Sequence, residues 1–367
     1  MIRWLGLIFI LPGTALGKSV DCSVEVNKTN DRQIDMVLPS GNQISVVGHR
    51  HAKRQSGAFD TESAFPAILA LSKQDLAKNL TKDPSWPQKI KEAIKSEAAA
   101  IKQYSDDYKN LETNLEQNRY VGVGIEVPIE RLIWNAENST KIIENSKFAF
   151  DMLKVETNLR QRYKLLALSP QFLLKQQRPS LFKGRQIFTA EPTQPEINDY
   201  NKQFCSKIPK ANTPSEFASF AAFTSSIRAR LPDREGEVIS FFANGDPVED
   251  KLLSVNPMLR AARFKPAELA AELLKSFPIE ITETERKHLM TYFEIRLQNA
   301  SRFEGCSARD ALIAKNLVRQ SDKGSVINFI GANHLPAIKY YLEEECKKIV
   351  SGKEPVKKDL PVSAGTR

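Results

Sequence analysis

The 367-residue chain is poor in the residues that most often carry metal and covalent chemistry, with four cysteines and four histidines. It has no C-x-x-C pair, and Cys22, Cys205, Cys306 and Cys346 are too widely spread to suggest a structural zinc site. In an oxidising compartment, an even number of cysteines predicts two disulfides. The sequence leaves all three pairings open.

Long hydrophobic runs are also missing, and a membrane-spanning helix needs about 20 apolar residues. Residues 1–17 combine Arg3, a short apolar stretch and a small-residue ending at Gly17, a pattern typical of a secretory signal peptide. We therefore expect an exported protein, periplasmic or secreted, without a transmembrane segment. Nothing resembles a nucleophile elbow, a phosphate-binding loop or a dinucleotide fingerprint, so the enzyme classes that use those motifs find no support.

The charge of the chain is positive but scattered. The net charge is +9, yet the basic residues form no stripe with interleaved aromatic residues, so we expect no nucleic-acid partner. Hydrophobic residues make up 41% and charged residues 26%, as in ordinary globular proteins. Residues 18–351 are predicted to form a single α/β domain with helical insertions, followed by a disordered polar tail over residues 352–367.

Strand and helix patterns alternate along the chain, which favours an α/β fold with a central mixed sheet, surrounding helices and a largely helical middle insertion. Residues 33–38 and 43–48 flank the turn sequence Pro-Ser-Gly-Asn and predict a hairpin. Residues 87–117 predict surface helices, because large apolar side chains are few. Residues 192–213 predict a loop, because Pro, Asn and Lys are frequent.

Two stretches at opposite ends of the chain share one pattern, a short apolar run followed by Gly-x-x-His. They are residues 44–51 and 327–334, and they contain His49, His51 and His334. Each run predicts a buried strand, and ligand sites of open α/β sheets lie beyond the carboxyl ends of strands. If the two strands are parallel neighbours, His51 and His334 emerge at the same edge of the sheet.

Two charged residues are candidates to join these histidines. Glu126 lies at the end of the predicted strand 119–127, and burying a carboxylate is costly unless it is paired, either in a site or with Arg131. Arg309 lies in the first turn of a predicted helix capped by Ser307, where its charge opposes the helix dipole. Its placement indicates an anionic neighbour such as Glu126, Asp310 or a substrate carboxylate, and the alternative is an ordinary surface arginine.

Two histidines and a carboxylate form a common metal-binding set with room for water and substrate. His51, Glu126 and His334 are therefore the predicted metal ligands, and together with Arg309 they are the predicted catalytic residues. Without a metal, the same groups suit general acid–base chemistry, because histidine titrates near neutral pH. The structural alternative is that each histidine hydrogen-bonds the backbone at a strand end.

Together these residues resemble the TraB/Tiki/GumN family, within a wider group of erythromycin esterase-like and ChaN-like proteins. The matching pieces are Gly48-His49-Arg50-His51, Gly124-Ile125-Glu126 with Arg131, and an Arg309-Asp310 helix followed by Gly331-Ala332-Asn333-His334-Leu335-Pro336. Residues 132–300 are not matched. The family usually has a small residue or Glu where His49 stands, which puts the substrate preference in question.

The resemblance implies an exported hydrolase of the metal-dependent peptidase type, using zinc, manganese or cobalt. His51, Glu126 and His334 would then be metal ligands or acid–base groups, and Arg309 would orient a carboxylate or stabilise a developing negative charge. The substrate would be a peptide or a small ester or amide. Esterase-like relatives imply water activation without a metal, and ChaN-like relatives imply binding of a metal, haem or peptide without catalysis. A fold that has lost catalysis is a further alternative.

Overall fold

A computed structural model describes most of the chain between residues 21 and 352. The described residues are 21–27, 32–49, 64–96, 98–117, 120–207, 215–243, 248, 251–252, 255, 257–300, 303 and 305–352. The predicted signal peptide, His51 and nearly all of the predicted tail lie outside these residues.

Within the described residues, six strands form one mixed sheet. In chain order they are β1 (Glu25–Val26), β2 (Gln33–Val37), β3 (Gln43–His49), β4 (Gly122–Ile125), β5 (Gln186–Thr189) and β6 (Val326–Gly331). The order across the sheet is β1-β2-β3-β6-β4-β5. The predicted hairpin is confirmed, since β2 and β3 pair antiparallel around the turn.

The four strands β3, β6, β4 and β5 run parallel to one another. Strand β6, the last in the chain, lies between β3 and β4. The two apolar runs that precede Gly-x-x-His are therefore parallel neighbours, with Gly48 opposite Ile330 and His49 opposite Gly331. Parallel strands place their carboxyl ends at one edge of the sheet, which is where a site is expected.

Helices account for most of the remaining described residues. They are Ala64–Leu69, Lys73–Lys82, Trp86–Ser96, Ala98–Glu116, Ile129–Met152, Thr157–Ala167, Pro170–Gln177, Gln194–Gln203, Ser215–Arg230, Glu235–Ala243, Pro257–Arg263, Pro266–Ser276, Glu283–Ala300, Ala308–Ser321 and Leu335–Val350. No helix in these ranges is long and apolar enough to cross a membrane. The predicted α/β class, with helices around a mixed sheet, is confirmed.

Both faces of the sheet are covered by helices. On one face, Val47 and Phe329 pack with Leu111 and Leu115 of helix Ala98–Glu116. On the other face, Val46 and Ile330 pack with residues of helices Ala308–Ser321 and Leu335–Val350. Residues 87–117 lie at the surface as predicted, in two helices that expose most of their polar residues and bury their few large apolar residues on one face each.

The middle of the chain builds a further, purely helical core. Phe223, Leu269, Leu289 and Phe293 are fully buried there, in a cluster separate from those that cover the sheet. This cluster agrees with the predicted helical insertion, and its helices lie between β5 and β6 in the chain.

The prediction that residues 192–213 form a loop is wrong, because helix Gln194–Gln203 lies within them. Thr193 and Glu196 form a capping box at its first turn, and the Thr193 N–H donates to Glu196 at 2.7 Å. The helix has no buried residue and hence no apolar periodicity to reveal it.

Two disulfides join distant parts of the chain. Cys22 pairs with Cys346 and Cys205 pairs with Cys306. The first ties the segment before β1 to the last helix. The second ties the end of helix Gln194–Gln203 to the residue just before Ser307, the N-cap of helix Ala308–Ser321. The disulfides and the lack of a spanning helix in the described residues agree with the predicted export.

Candidate functional site

Four polar side chains gather where the parallel strands end. His49 is the last residue of β3, Glu126 follows β4 directly, Glu191 follows β5 by two residues, and His334 follows β6 in a short 3-10 turn. A fifth side chain, Arg309, reaches them from the first turn of helix Ala308–Ser321. The carboxyl edge of the sheet is thus lined by titratable groups from five segments.

Glu126 is the most enclosed of these strand-end groups, with 8% of its side chain exposed. Its Oε1 accepts a hydrogen bond from Nη2 of Arg309 at 2.7 Å. Its Oε2 accepts from the N–H of Gly331 at 2.6 Å and lies 3.2 Å from Nε2 of His49. These contacts supply the pairing that a buried carboxylate requires.

Arg309 contacts three other residues of the site, Glu191, Glu126 and His334. It donates from Nε and Nη2 to the two oxygens of Glu191, at 2.9 and 2.7 Å, which is a bidentate pair. It also donates from Nη2 to Glu126, and its Nη1 lies 2.9 Å from Nε2 of His334. These four bonds use four of the five N–H groups of the guanidinium, and the fifth, on Nη1, has no partner among the described residues.

The charge of Arg309 is permanent. Burial alone would lower the pKa of its guanidinium, but the hydrogen bonds that it donates to Glu191 and Glu126 outweigh that effect and raise the pKa above its usual range. The side chain is 33% exposed, more than either carboxylate that it holds. Part of a fixed cation is therefore exposed to solvent at the site.

His334 lies between a carboxylate and this cation. Its Nδ1 is 2.7 Å from Oδ1 of Asp310, while its Nε2 faces Arg309. A guanidinium can only donate, so Nε2 must accept, and the proton of the neutral ring must be on Nδ1, where it donates to Asp310. The hydrogen-bond network assigns one tautomer to this imidazole.

Asp310 is held in place by the helix start. Its Oδ2 accepts a hydrogen bond from the Ser307 hydroxyl at 2.6 Å, and the same hydroxyl caps the helix by accepting from the Asp310 N–H. The N–H of Ser307 in turn donates to the Tyr341 hydroxyl at 3.1 Å. The carboxylate that orients His334 is thus anchored on the helix rather than on a loop.

The two Gly-x-x-His stretches also touch directly. A Cβ on Gly48 would lie 2.6 Å from Cδ1 of Leu335 and 3.0 Å from Cα of Ala332. Gly48 therefore lets the turn that carries His334 lie against β3.

The helical insertion reaches this edge of the sheet through Arg260. Its side chain is buried, and its Nη2 donates to Oδ1 of Asn333 at 3.3 Å, while its Nε donates to the carbonyl of Val255. Asn333 immediately precedes His334. A residue from the part of the chain that matched no motif therefore supports the turn that presents the site histidine.

The structure brings three of the predicted site residues together, namely Glu126, Arg309 and His334. Nε2 of His49 lies 3.2 Å from Oε2 of Glu126. His51 lies outside the described residues. Arg131, the predicted alternative partner of Glu126, lies over the ring of Trp134. The catalytic roles of these residues stay predictions.

Two residues of the cluster were not among the predicted site residues. Glu191 lies two residues beyond the four-residue strand β5. Only its pairing with Arg309 distinguishes it from other glutamates. Asp310 was considered only as a neighbour of Arg309. Glu191, like Glu126, follows a short strand of the sheet, and that shared position was the available signal for Glu191.

Of the predicted metal set, the structure describes Glu126 and His334, and both contact Arg309. Oε1 of Glu126 is held by Arg309, Oε2 by the Gly331 N–H, and Nε2 of His334 by Arg309. A metal bound by these atoms would have to displace the guanidinium. No group of three or more His, Cys, Asp and Glu side chains in the described residues is arranged to hold a metal ion. A part for His51 in a metal set stays a prediction.

The site carries a surplus of negative groups. Glu126, Glu191 and Asp310 surround one cation, Arg309, while the two imidazoles are the groups that can take up a proton. The Arg309 N–H that has no partner among the described residues can stabilise a developing oxyanion. The arrangement suits proton transfer next to a fixed positive charge.

Comparisons of the chain with protein-family models, with curated protein sequences and with solved structures found no match. The resemblance to the TraB/Tiki/GumN family therefore rests on its quoted motifs.

Proposed function

We propose that this chain is an exported hydrolase that activates water by general base catalysis and cleaves a small ester, an amide or a peptide bond. The proposal takes the metal-free alternative of the TraB/Tiki and erythromycin esterase-like resemblance. The observation that carries it is the line of contacts from Asp310 through His334 to Arg309, at 2.7 and 2.9 Å, at the carboxyl edge of the sheet.

His334 is the proposed base. Asp310 holds its Nδ1–H, so Nε2 has the lone pair that can take a proton from water. In the reactive complex, a hydrogen bond from this water to Nε2 replaces the hydrogen bond from Arg309. His334 is 25% exposed, so water can reach it, whereas the carboxylates behind it are more enclosed.

Arg309 is the proposed electrostatic partner. Water adds to the carbonyl carbon while its proton goes to Nε2 of His334, and the carbonyl oxygen gains negative charge beside the guanidinium. Collapse of this intermediate transfers the proton from His334 to the leaving oxygen or nitrogen. Glu191 and Glu126 hold the guanidinium through Nε and Nη2, so its charge stays beside the carbonyl oxygen after Nη1 has released Nε2 of His334.

The rival functions give different results in a single assay. We would screen esters, amides and peptides with the purified mature protein, with and without a strong chelator. His334→Gln should lose about 10²- to 10⁴-fold in kcat, the usual contribution of a general base. His288→Gln is the matched control, because His288 lies in helix Glu283–Ala300, in the helical insertion.

Retained hydrolysis in chelator together with loss in His334→Gln supports the proposal. Activity that disappears in chelator and returns with zinc, manganese or cobalt favours the metallopeptidase alternative instead. Saturable binding of substrates without turnover favours a binding protein. Equal activity of His334→Gln and the wild type would refute the assigned base.

A further inference from the structure

A second candidate binding site lies away from the carboxyl edge of the sheet. A cavity of about 400 Å³ opens between helix Ile129–Met152 and helix Thr157–Ala167. Its volume falls in the usual range of about 300–1,000 Å³ for small-molecule sites. The residues that line it are Ile143, Glu144, Lys147, Phe150, Arg160 and Lys164.

Residues that line the cavity recur three or four positions apart on each of the two helices. Ile143, Lys147 and Phe150 are three or four residues apart and face the cavity from the first helix. Arg160 and Lys164, four residues apart, face it from the second. The chain reverses between the two helices through Lys154, which has a φ of 53°.

The floor of the cavity is apolar and fixed. Phe150 is fully buried, and its ring packs edge-on against the ring of Tyr163 at a centroid distance of 5.7 Å. Ile143 is half-buried and borders the same space. Phe150 thus fixes the floor from below, and the apolar surface open to a ligand is that of Ile143 and the hydrocarbon stems of Lys147 and Lys164.

The rim is cationic. Arg160 is held by Oδ1 of Asp151 at 2.7 Å and by the carbonyl of Val155 at 2.8 Å, so its guanidinium is pre-organised. In the described part of the chain, Lys147 and Lys164 form no ion pair with a carboxylate. With Glu144 as the one lining carboxylate, the wall carries three positive charges and one negative charge.

We propose that this cavity binds a free amphiphilic anion, a molecule with one carboxylate or similar head group and a short apolar tail. The head group would pair with Lys147 and Lys164, and the tail would lie on Ile143 and the hydrocarbon stems of the two lysines, above the buried ring of Phe150. Charge complementarity selects an anion over a neutral analogue, and the apolar floor selects a tailed anion over a simple one. The site does not depend on the proposed hydrolysis.

Isothermal titration of the full mature chain with octanoate tests the site, with 1-octanol and acetate as the uncharged and tailless analogues. We expect saturable octanoate binding and a dissociation constant about tenfold or more higher for each analogue. Lys147→Glu combined with Lys164→Glu should weaken octanoate binding by about tenfold or more. The matched control is Lys141→Glu with Arg162→Glu, which changes the net charge equally at exposed positions of the same two helices.

The result that overturns the proposal is equal octanoate binding by both double variants, or no saturable binding by the wild type. Lys147→Gln with Lys164→Gln repeats the test with a smaller charge change, should the first double variant fail to fold by circular dichroism. The His334→Gln variant should bind octanoate as the wild type does. Loss of binding in that variant would place octanoate in the edge site and refute the second site.

Discussion

Nη1 of Arg309 lies 2.9 Å from Nε2 of His334, and this contact determines which nitrogen of the imidazole carries the proton. Because the arginine can only donate, the neutral ring must accept there and donate from Nδ1 to Asp310. The same cation holds Glu126 and Glu191. One side chain thus sets both the tautomer of the histidine and the charge balance around it.

The first prediction concerns this tautomer. In ¹⁵N-labelled wild type at a pH where His334 is neutral, two-dimensional nitrogen–proton spectra of the ring should show the Nδ1–H form. In Asp310→Asn, the side-chain amide donates to Nδ1. The ring proton must then be on Nε2, where it points at an N–H of Arg309. We therefore expect the ring to leave its position and kcat to fall by about 10²-fold or more.

His288 provides the internal reference for those spectra, because it lies in the helical insertion and should keep its signal in Asp310→Asn. An Nε2–H form in the wild type would contradict the assigned hydrogen-bond network.

The second prediction concerns stability. Arg309→Ala leaves Glu126 and Glu191, whose side chains are 8% and 12% exposed, without their cation. Removing one partner of a fully buried ion pair costs about 3–5 kcal/mol, and we expect about 2–3 kcal/mol here, because a third of the Arg309 side chain is exposed. Urea unfolding at neutral pH measures the change in the free energy of unfolding.

Arg178→Ala is the matched control for this variant. Arg178 also bridges two carboxylates, Glu112 and Glu116, at 2.7 and 2.9 Å, but it is 46% exposed. An exposed pair contributes about 0–1 kcal/mol, so this variant should lose less than about 1 kcal/mol. Equal losses in the two variants would mean that Arg309 is not needed to neutralise the enclosed carboxylates.

The third prediction concerns the contact between the two Gly-x-x-His stretches. Gly48→Ala should lower the free energy of unfolding by about 1–3 kcal/mol, because its Cβ would push against the backbone of Ala332 and the side chain of Leu335. The displaced turn carries His334, so kcat should fall as well. Gly236→Ala is the control, since nothing lies within 4 Å of a Cβ there and alanine favours its helix. A neutral Gly48→Ala would refute the close approach.

The fourth prediction concerns Arg260 as a positioning residue. Arg260→Met keeps the apolar volume of the stem but removes the hydrogen bond to Asn333. We expect kcat to fall by about tenfold, with little change in KM, because the turn before His334 loses its support. Arg260→Lys should recover part of kcat. A change in thermal stability with an unchanged kcat would assign Arg260 a purely structural role.

Much of the fold was predictable because its signals are local. The hairpin, the strand before His334 and the helix capped by Ser307 each have apolar periodicity or a turn sequence at their ends. Residues 87–117 were predicted correctly as surface helices, but the extent of their buried faces was not. Counting large apolar residues underestimated a helix whose few such residues share one face.

The site was predictable only in part, because its geometry is not local. Glu126, Arg309 and His334 stood out through their position at a strand end or helix start. Glu191 and Asp310 belong to the same cluster through pairing with residues 118 and 24 positions away along the chain. Hydrophobic periodicity predicts only contacts between residues that are close in sequence. The order of the strands in the sheet is what brings these distant residues together.

The strand order has a consequence for how the molecule is made. Strand β6 spans Val326–Gly331 near the end of the chain, yet in the sheet it lies between β3 and β4. During synthesis, β3 and β4 therefore cannot be joined into one sheet until β6 has left the ribosome. Before then, β3 and β4 both expose an unpaired edge, and such edges invite pairing with other chains. We therefore expect the incomplete chain to be prone to mispairing until β6 has been made. A C-terminal truncation that removes β6 should abolish the whole parallel sheet rather than only the site.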